Sequence, residues 1–323
     1  MITLKKYSPK DQKKWDTFCD VAKNATFLFK RDFMDYHANR FEDFSLLLYK
    51  DATLIALLPA NRVDSTLYSH QGLTYGGFII GQQLKFSDYI ALFCALLEYL
   101  NEEGVSSFVL KKLPSFYTSI PSDEIEYVLQ LLTAKRIRSD ISSLIALQYP
   151  KKVSKIRLRG VKKALKNKLE VQEETNFKAF WEQVLIPNLK DKHGVHPVHS
   201  LEEIQLLKQR FPENIRQFSV YHGNTIVGGT TIFEMDTVVH AQYISAHPTL
   251  ENLGSLDLLF DHLIRNVFPN KTYFDFGIST EQKGRKLNKG LLGWKEGFGA
   301  RATTYDTYEI NPQNHTKLSN LYL

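Results

Sequence analysis

Apolar and polar positions follow the same rhythm twice along the chain. Leu46 to Leu58, LLLYKDATLIALL, holds two short apolar runs around the polar stretch Lys50 to Thr53, the pattern of a β-hairpin. A strand over Thr66 to Ser69 follows, then apolar positions at helical spacing from Phe86 to Asn101 and a buried strand over Ser107 to Leu110. Ile125 to Ala134 reads as helix and Ser143 to Gln148 as strand. In the second half Phe218 to Gly223, Thr225 to Phe233 and Thr237 to Ala246 read as consecutive strands, with Gly223–Asn224 as a turn that tolerates positive φ. An amphipathic helix over Leu253 to Val267, a strand over Tyr273 to Gly277 and a last strand over Ala302 to Ile310 complete it.

An offset of 172 residues lays one half on the other, with no gap from Leu46 to Leu67. Tyr49, Thr53 and Asp64 then meet Tyr221, Thr225 and Asp236, and Leu67 meets Val239. Identities are few, so the shared rhythm is the stronger sign of an internal duplication. The expected division is residues 1–150 and 151–323, with the joint near Tyr149–Pro150. Ser200, with Glu203 three residues on, opens a capped helix that runs to about Arg210.

The 323 residues suit two domains, and 43% hydrophobic residues suffice for a core in each. Cys19 and Cys94 lie among apolar residues outside any metal spacing and read as buried thiols. The longest apolar run, Ile90 to Leu97, is far shorter than the roughly 20 residues of a bilayer span, and the N-terminus shows no signal peptide. A cytoplasmic protein is expected. Nine of the eighteen residues from Lys151 to Lys168 are Lys or Arg and none is acidic. Without those nine the net +6 becomes −3, so any anionic partner belongs near this segment.

Three stretches carry a family resemblance: FSVYHGNTIVGGTTIF, YFDFGIS, and LLGWKEGFGA followed by an aromatic strand. Their succession resembles the C-terminal half of Fem-type transferases, which are tandem GNAT-fold proteins. LLPANRVDSTLYSHQGLTYGGF in the first half is similar to members of the wider FemAB-like group. The resemblance implies two tandem GNAT-like domains, each a mixed, mainly antiparallel sheet flanked by helices. It implies an N- or O-acyltransferase that moves an acyl or aminoacyl group to an amine or hydroxyl of a cell-envelope peptide or sugar precursor. The co-substrate would be acyl-CoA or aminoacyl-tRNA, with no permanently bound cofactor and no metal. A peripheral contact with a lipid-linked precursor at the membrane also follows. One departure stands out. CoA-dependent GNAT enzymes carry R/Q-x-x-G-x-G/A before a helix, because glycines let backbone N–H groups approach a diphosphate. His247 to Gly254 has one glycine, no Arg or Gln, and Glu251; Gly76 to Gly81 has glycines without the basic residue. The rival reading is a non-catalytic GNAT-fold module that binds a nucleotide-sugar or lipid-linked glycan. A nucleic-acid-binding protein rests on the basic segment alone.

The resemblance makes Lys295 the catalytic candidate. It sits among Gly290, Gly293, Gly297 and Gly299, and an ammonium there would steady the oxyanion formed at an attacked carbonyl. The plainer reading is a surface lysine on a glycine-rich hairpin. Asp275, between Phe274 and Phe276 on a strand, should point away from both; if that face lines a cleft it would orient or deprotonate the acceptor, and otherwise it caps a neighbouring loop. Tyr68, His70, Gln71 and Tyr75, beside Gly72, Gly76 and Gly77, suit a peptide or sugar acceptor, or form an ordinary hairpin tip. Arg285, in the loop EQKGRKLNK, is a phosphate contact or a solvated loop residue, and Trp294 and Tyr243 join the substrate-binding candidates. His193, His196 and His199 repeat every third residue, but Gly194 and Pro197 argue against a helical metal pair. A loop histidine here, His196, would serve as an acceptor base or a substrate contact; otherwise the stretch is a loop feeding the capped helix.

Overall fold

The structure is a computed structural model that describes residues 1–149, 152–319 and Leu321. The chain divides into two compact units, Met1–Asp140 with Thr304–Leu323, and Ile141–Thr303. The C-terminal segment thus returns to the first unit, a turn of the chain that hydrophobic rhythm does not announce. Pro150 and Lys151, at the expected joint, lie outside the described residues.

In the first unit β1 (Ile2–Lys6), α1 (Gln12–Val21), β2 (Leu46–Lys50) and β3 (Thr53–Leu58) come first. They precede β4 (Thr66–Tyr68), α2 (Phe86–Glu102), β5 (Ser107–Lys111) and α3 (Glu124–Leu131). β1, β2, β3 and Ile79–Ile80 pair antiparallel in that order, whereas β4 and β5 pair parallel. The pleat of the paired strands puts Leu46, Leu48, Ala56 and Leu58 of the hairpin on one face. There they pack with Phe93 and Leu97 of α2, each at most 1% exposed. Burying such a side chain contributes about 1.5–3 kcal/mol. Cys19 is buried as expected, but Cys94 is only half-buried, because α2 turns that side toward the surface.

The second unit contains the end of β6 (Lys135–Ala146), then α4 (Lys155–Lys166), β7 (Leu169–Glu174), α5 (Ile186–His193) and α6 (Leu201–Arg210). Ser200 caps α6 as its sequence requires: Oγ accepts from Glu203 N at 3.1 Å, and Glu203 Oε2 accepts from Ser200 N at 2.8 Å. Next come β8 (Ile215–His222), β9 (Thr225–Glu234), β10 (Val238–Ala246), α7 (Ser255–His262), β11 (Tyr273–Ile278) and α8 (Lys289–Glu296), and the chain then enters β12 (Arg301–Ile310), which from Thr304 onward belongs to the first unit. The sheet runs β7–β8–β9–β10–β11–β6, antiparallel except for β10 and β11. Each unit is therefore the mixed, mainly antiparallel sheet with flanking helices that was expected. The second core gathers around Phe260, Phe274, Phe276 and Phe298.

The two hairpins match in detail. In the first, Leu48 faces Ala56 and Tyr49 faces Leu54; in the second, Val220 faces Gly228 and Tyr221 faces Ile226. Both bulges fall at the same place under the offset of 172, and so do the positive φ angles of Asp51 (54°) and Gly223 (57°). A shared irregularity is stronger evidence for duplication than a shared rhythm, because bulges persist within families.

Candidate functional site

β10 and β11 pair in parallel at only three positions: Val238 with Tyr273, Val239 with Phe274, and His240 with Asp275. β10 continues to Ala246 and β11 to Ile278, so the strands part just beyond His240 and Asp275. Phe274 and Phe276 turn into the aromatic core, with Phe276 5.0 Å from the Phe260 ring. Asp275 therefore points to the other face, fully buried.

Its carboxylate is held from three sides. Oδ1 accepts from Ser142 Oγ at 2.6 Å and from Gly277 N at 3.0 Å, and Oδ2 lies 2.8 Å from His240 Nδ1. A carboxylate accepts, so Nδ1 carries a proton, and Nε2 is the ring nitrogen not engaged with Asp275. His240 is 9% exposed. Ser142 and His240 sit on opposite oxygens of one carboxylate, so His240 is not hydrogen-bonded to this serine through it. The order differs from a nucleophilic Ser–His–Asp relay.

Lys295 is 2% exposed and lies on α8. The glycine-dense stretch forms this helix rather than the tight turn its composition suggested, because Asn288 Oδ1 caps it through Leu291 N at 3.0 Å. The Lys295 ammonium donates to Gly277 O and Ile278 O, each at 2.8 Å. Burial pulls its pKa down to about 8, against the opposing pull of the Asp275 charge. A Cβ on Gly277, whose φ is +73°, would lie 3.4 Å from His240 Cε1. The histidine ring and the lysine thus converge on one stretch of β11, at the place where the strands separate.

The other candidates fall elsewhere. Tyr243 faces the same side as His240 despite the odd spacing, because the ladder skips Gln242: Tyr243 meets Thr231, and Ala241 meets Ile232. Its hydroxyl meets His199 Nδ1 at 2.6 Å, and burial raises its pKa to about 12. Trp294 Nε1 donates to Asp257 Oδ1 at 3.1 Å, a carboxylate that Arg157 also holds. Arg285 and His196 are exposed, and the side chain of His193 lies outside the described residues. The expected loop around Arg285 is a small hairpin in which Thr280–Glu281 pairs with Lys286–Leu287.

Tyr68, His70, Gln71 and Tyr75 belong to the first unit. There β4 and β5 stand as β10 and β11 do in the second unit: Leu67 meets Phe108 and Tyr68 meets Val109. Tyr68 and Val109 thus occupy the places of His240 and Asp275 and cannot form a base pair of that kind. The parting of these strands is filled by their own loop. Ser69 Oγ accepts from Lys111 N at 2.8 Å, Gly76 N donates to Lys111 O at 2.7 Å, and Lys111 Nζ holds Gln71 O and Leu73 O. His70 has φ +67° and is buried, and desolvation drops its pKa to about 3. Tyr75 is buried against Tyr117, with its hydroxyl 3.2 Å from Thr26 Oγ1. The glycines serve this packing: a Cβ on Gly76 would come 2.2 Å from Ser69 O.

The basic segment forms α4, which lies across the start of α7. Gly254, the residue before α7, has φ +82°, and a Cβ there would lie 2.4 Å from Gly160 O of α4. A Cβ on Gly160 would in turn lie 1.7 Å from Asp257 Oδ2, in the first turn of α7. The end of α7 that a diphosphate would approach is thus occupied by another helix and an acidic side chain.

No protein-family model matches the chain, and no curated protein matches it. Solved structures do. FemX is similar over 98% of this chain and 99% of its own, with TM-score 0.67 and 10% identity. L-PGS from Bacillus licheniformis is similar over 98% of each chain, with TM-score 0.60 and 11% identity. A tandem GNAT protein from the clavulanic acid biosynthesis pathway is similar over 97% of this chain and 99% of its own, at 0.51 and 9%. The fold is that of tandem GNAT proteins. At these identities the likeness is one of architecture.

Proposed function

We propose that the protein is an acyltransferase whose second unit moves an aminoacyl or acyl group onto an amine or hydroxyl of a cell-envelope precursor. The observation that carries this reading is the Asp275–His240 pair at the parting of β10 and β11. An acceptor N–H or O–H would hydrogen-bond to His240 Nε2, and Asp275 would fix the tautomer and stabilise the imidazolium that forms. The acceptor attacks the donor carbonyl as its proton passes to Nε2. The tetrahedral oxyanion is stabilised by the Lys295 ammonium, two of whose hydrogen bonds are already fixed on β11. Collapse expels the donor's alcohol or thiol, which takes the proton from His240.

The covered start of α7 favours an aminoacyl ester over acyl-CoA, because it places a carboxylate and a helix where the CoA diphosphate would lie. The names FemX and L-PGS support a cell-envelope setting by fold analogy alone. The test is transfer from aminoacyl-tRNA and from acyl-CoA to amine and hydroxyl acceptors, with wild type and His240→Gln. Turnover with the aminoacyl donor, lowered about 10²–10⁴-fold by the substitution, supports the reading. Equal turnover by both proteins would sink it.

A further inference from the structure

Helix α4 gives only a narrow stripe to the core. Arg157, Gly160, Val161 and Ala164 recur at helical spacing and are its least exposed residues, packed toward α7. Lys155, Arg159, Lys162 and Lys166 recur at intervals of three or four on the opposite side and stand exposed, with no acid among them. Aliphatic side chains are exposed beside this cationic row. Leu158 (39%) and Leu165 (58%) lie seven residues apart and share one flank, and Ile156 is 62% exposed. A helix that needed only to be solvated would place polar residues there.

We propose that α4 docks the second unit on an anionic lipid bilayer, with the cationic row at the lipid phosphates and Leu158 and Leu165 in the acyl boundary. Charge complementarity selects a polyanionic partner, and the two leucines select the kind. A nucleic acid would use the lysines and leave both leucines in water, whereas a bilayer engages the two groups together.

The full-length protein would be sedimented with vesicles of neutral phosphatidylcholine, with vesicles containing about 30% phosphatidylglycerol, and mixed with single-stranded RNA. Three proteins would be compared: wild type, Leu158→Ser/Leu165→Ser, and Lys155→Gln/Lys162→Gln/Lys166→Gln. All five positions are exposed, and circular dichroism checks that the fold is kept. The expected result is partitioning to anionic vesicles at least tenfold above neutral ones in 0.1 M salt. It should fall about tenfold in the leucine variant and further in the lysine variant. No preference for anionic vesicles overturns the proposal. So does unchanged vesicle binding by the leucine variant, and so does RNA binding without vesicle binding that only the lysine variant loses.

Discussion

Lys295 offers a test that needs no substrate. Its ammonium is buried against two carbonyls, and its pKa falls from 10.5 to about 8. The unfolded chain returns it to the ordinary value, so folding with the charge in place costs about 3 kcal/mol relative to folding the neutral amine. Below pH 8 both states are protonated and the penalty is complete. Between about 8 and 10.5 the unfolded chain holds a proton that the folded protein has released, so stability must rise with pH. From pH 7 to pH 10 that rise amounts to about 2.5 kcal/mol. Urea denaturation of wild type and Lys295→Met at half-unit steps over this range isolates it, because other titrating groups largely cancel in the difference. The wild-type curve should gain on the variant by that amount, mostly above pH 8. A difference flat within about 0.5 kcal/mol would refute a desolvated ammonium at this position. Activity supplies the second arm. If the charged form steadies the oxyanion, wild-type transfer falls about tenfold per pH unit above 8. The same group would then lower activity where it raises stability.

Three further outcomes follow from the packing. Asp275→Asn should lower kcat about 10–10³-fold with little change in KM, since the buried side chain reaches a substrate only through His240; an effect confined to KM would contradict that. Gly160→Ala should destabilise the protein by about 1–3 kcal/mol in urea denaturation, because the added methyl meets the Asp257 carboxylate; an unchanged midpoint would mean α4 does not lie tightly on α7. Tyr75→Phe should cost about 1 kcal/mol of stability for the lost bond to Thr26 and leave acceptor KM unchanged; a raised KM would restore Tyr75 as an acceptor contact.

The elements were legible in the sequence because their signals are local. The hairpin of Leu46 to Leu58 shows its two apolar runs and the polar stretch between them within thirteen residues, and the Ser200 cap needs four. Asp275 could be found for the same reason: an acid between two phenylalanines must face away from them. Its partner could not. His240 stands in VVHAQYIS, where a lone histidine on an apolar strand reads as core. What sets it against Asp275, and so makes it the proposed base, is a parallel ladder that ends at its own position, against a strand 35 residues away. Strict alternation would also have put Tyr243 on the opposite face, and only the skipped Gln242 brings it round. In the first unit the composition points the other way. The cluster of Tyr68, His70, Gln71 and Tyr75 carries the glycines and polar aromatics of a ligand loop, and the structure uses them to close a gap between strands. Glycine is needed wherever backbone comes close, and sequence does not say whether the approaching group is a ligand or the chain itself. The duplication gives the missing criterion. Where Tyr68 faces Val109 the parting is filled, and where His240 faces Asp275 the proposed base stands at its edge. On the proposed function, the half that bears the chemistry is marked by the pair at the end of its parallel ladder, not by glycine density.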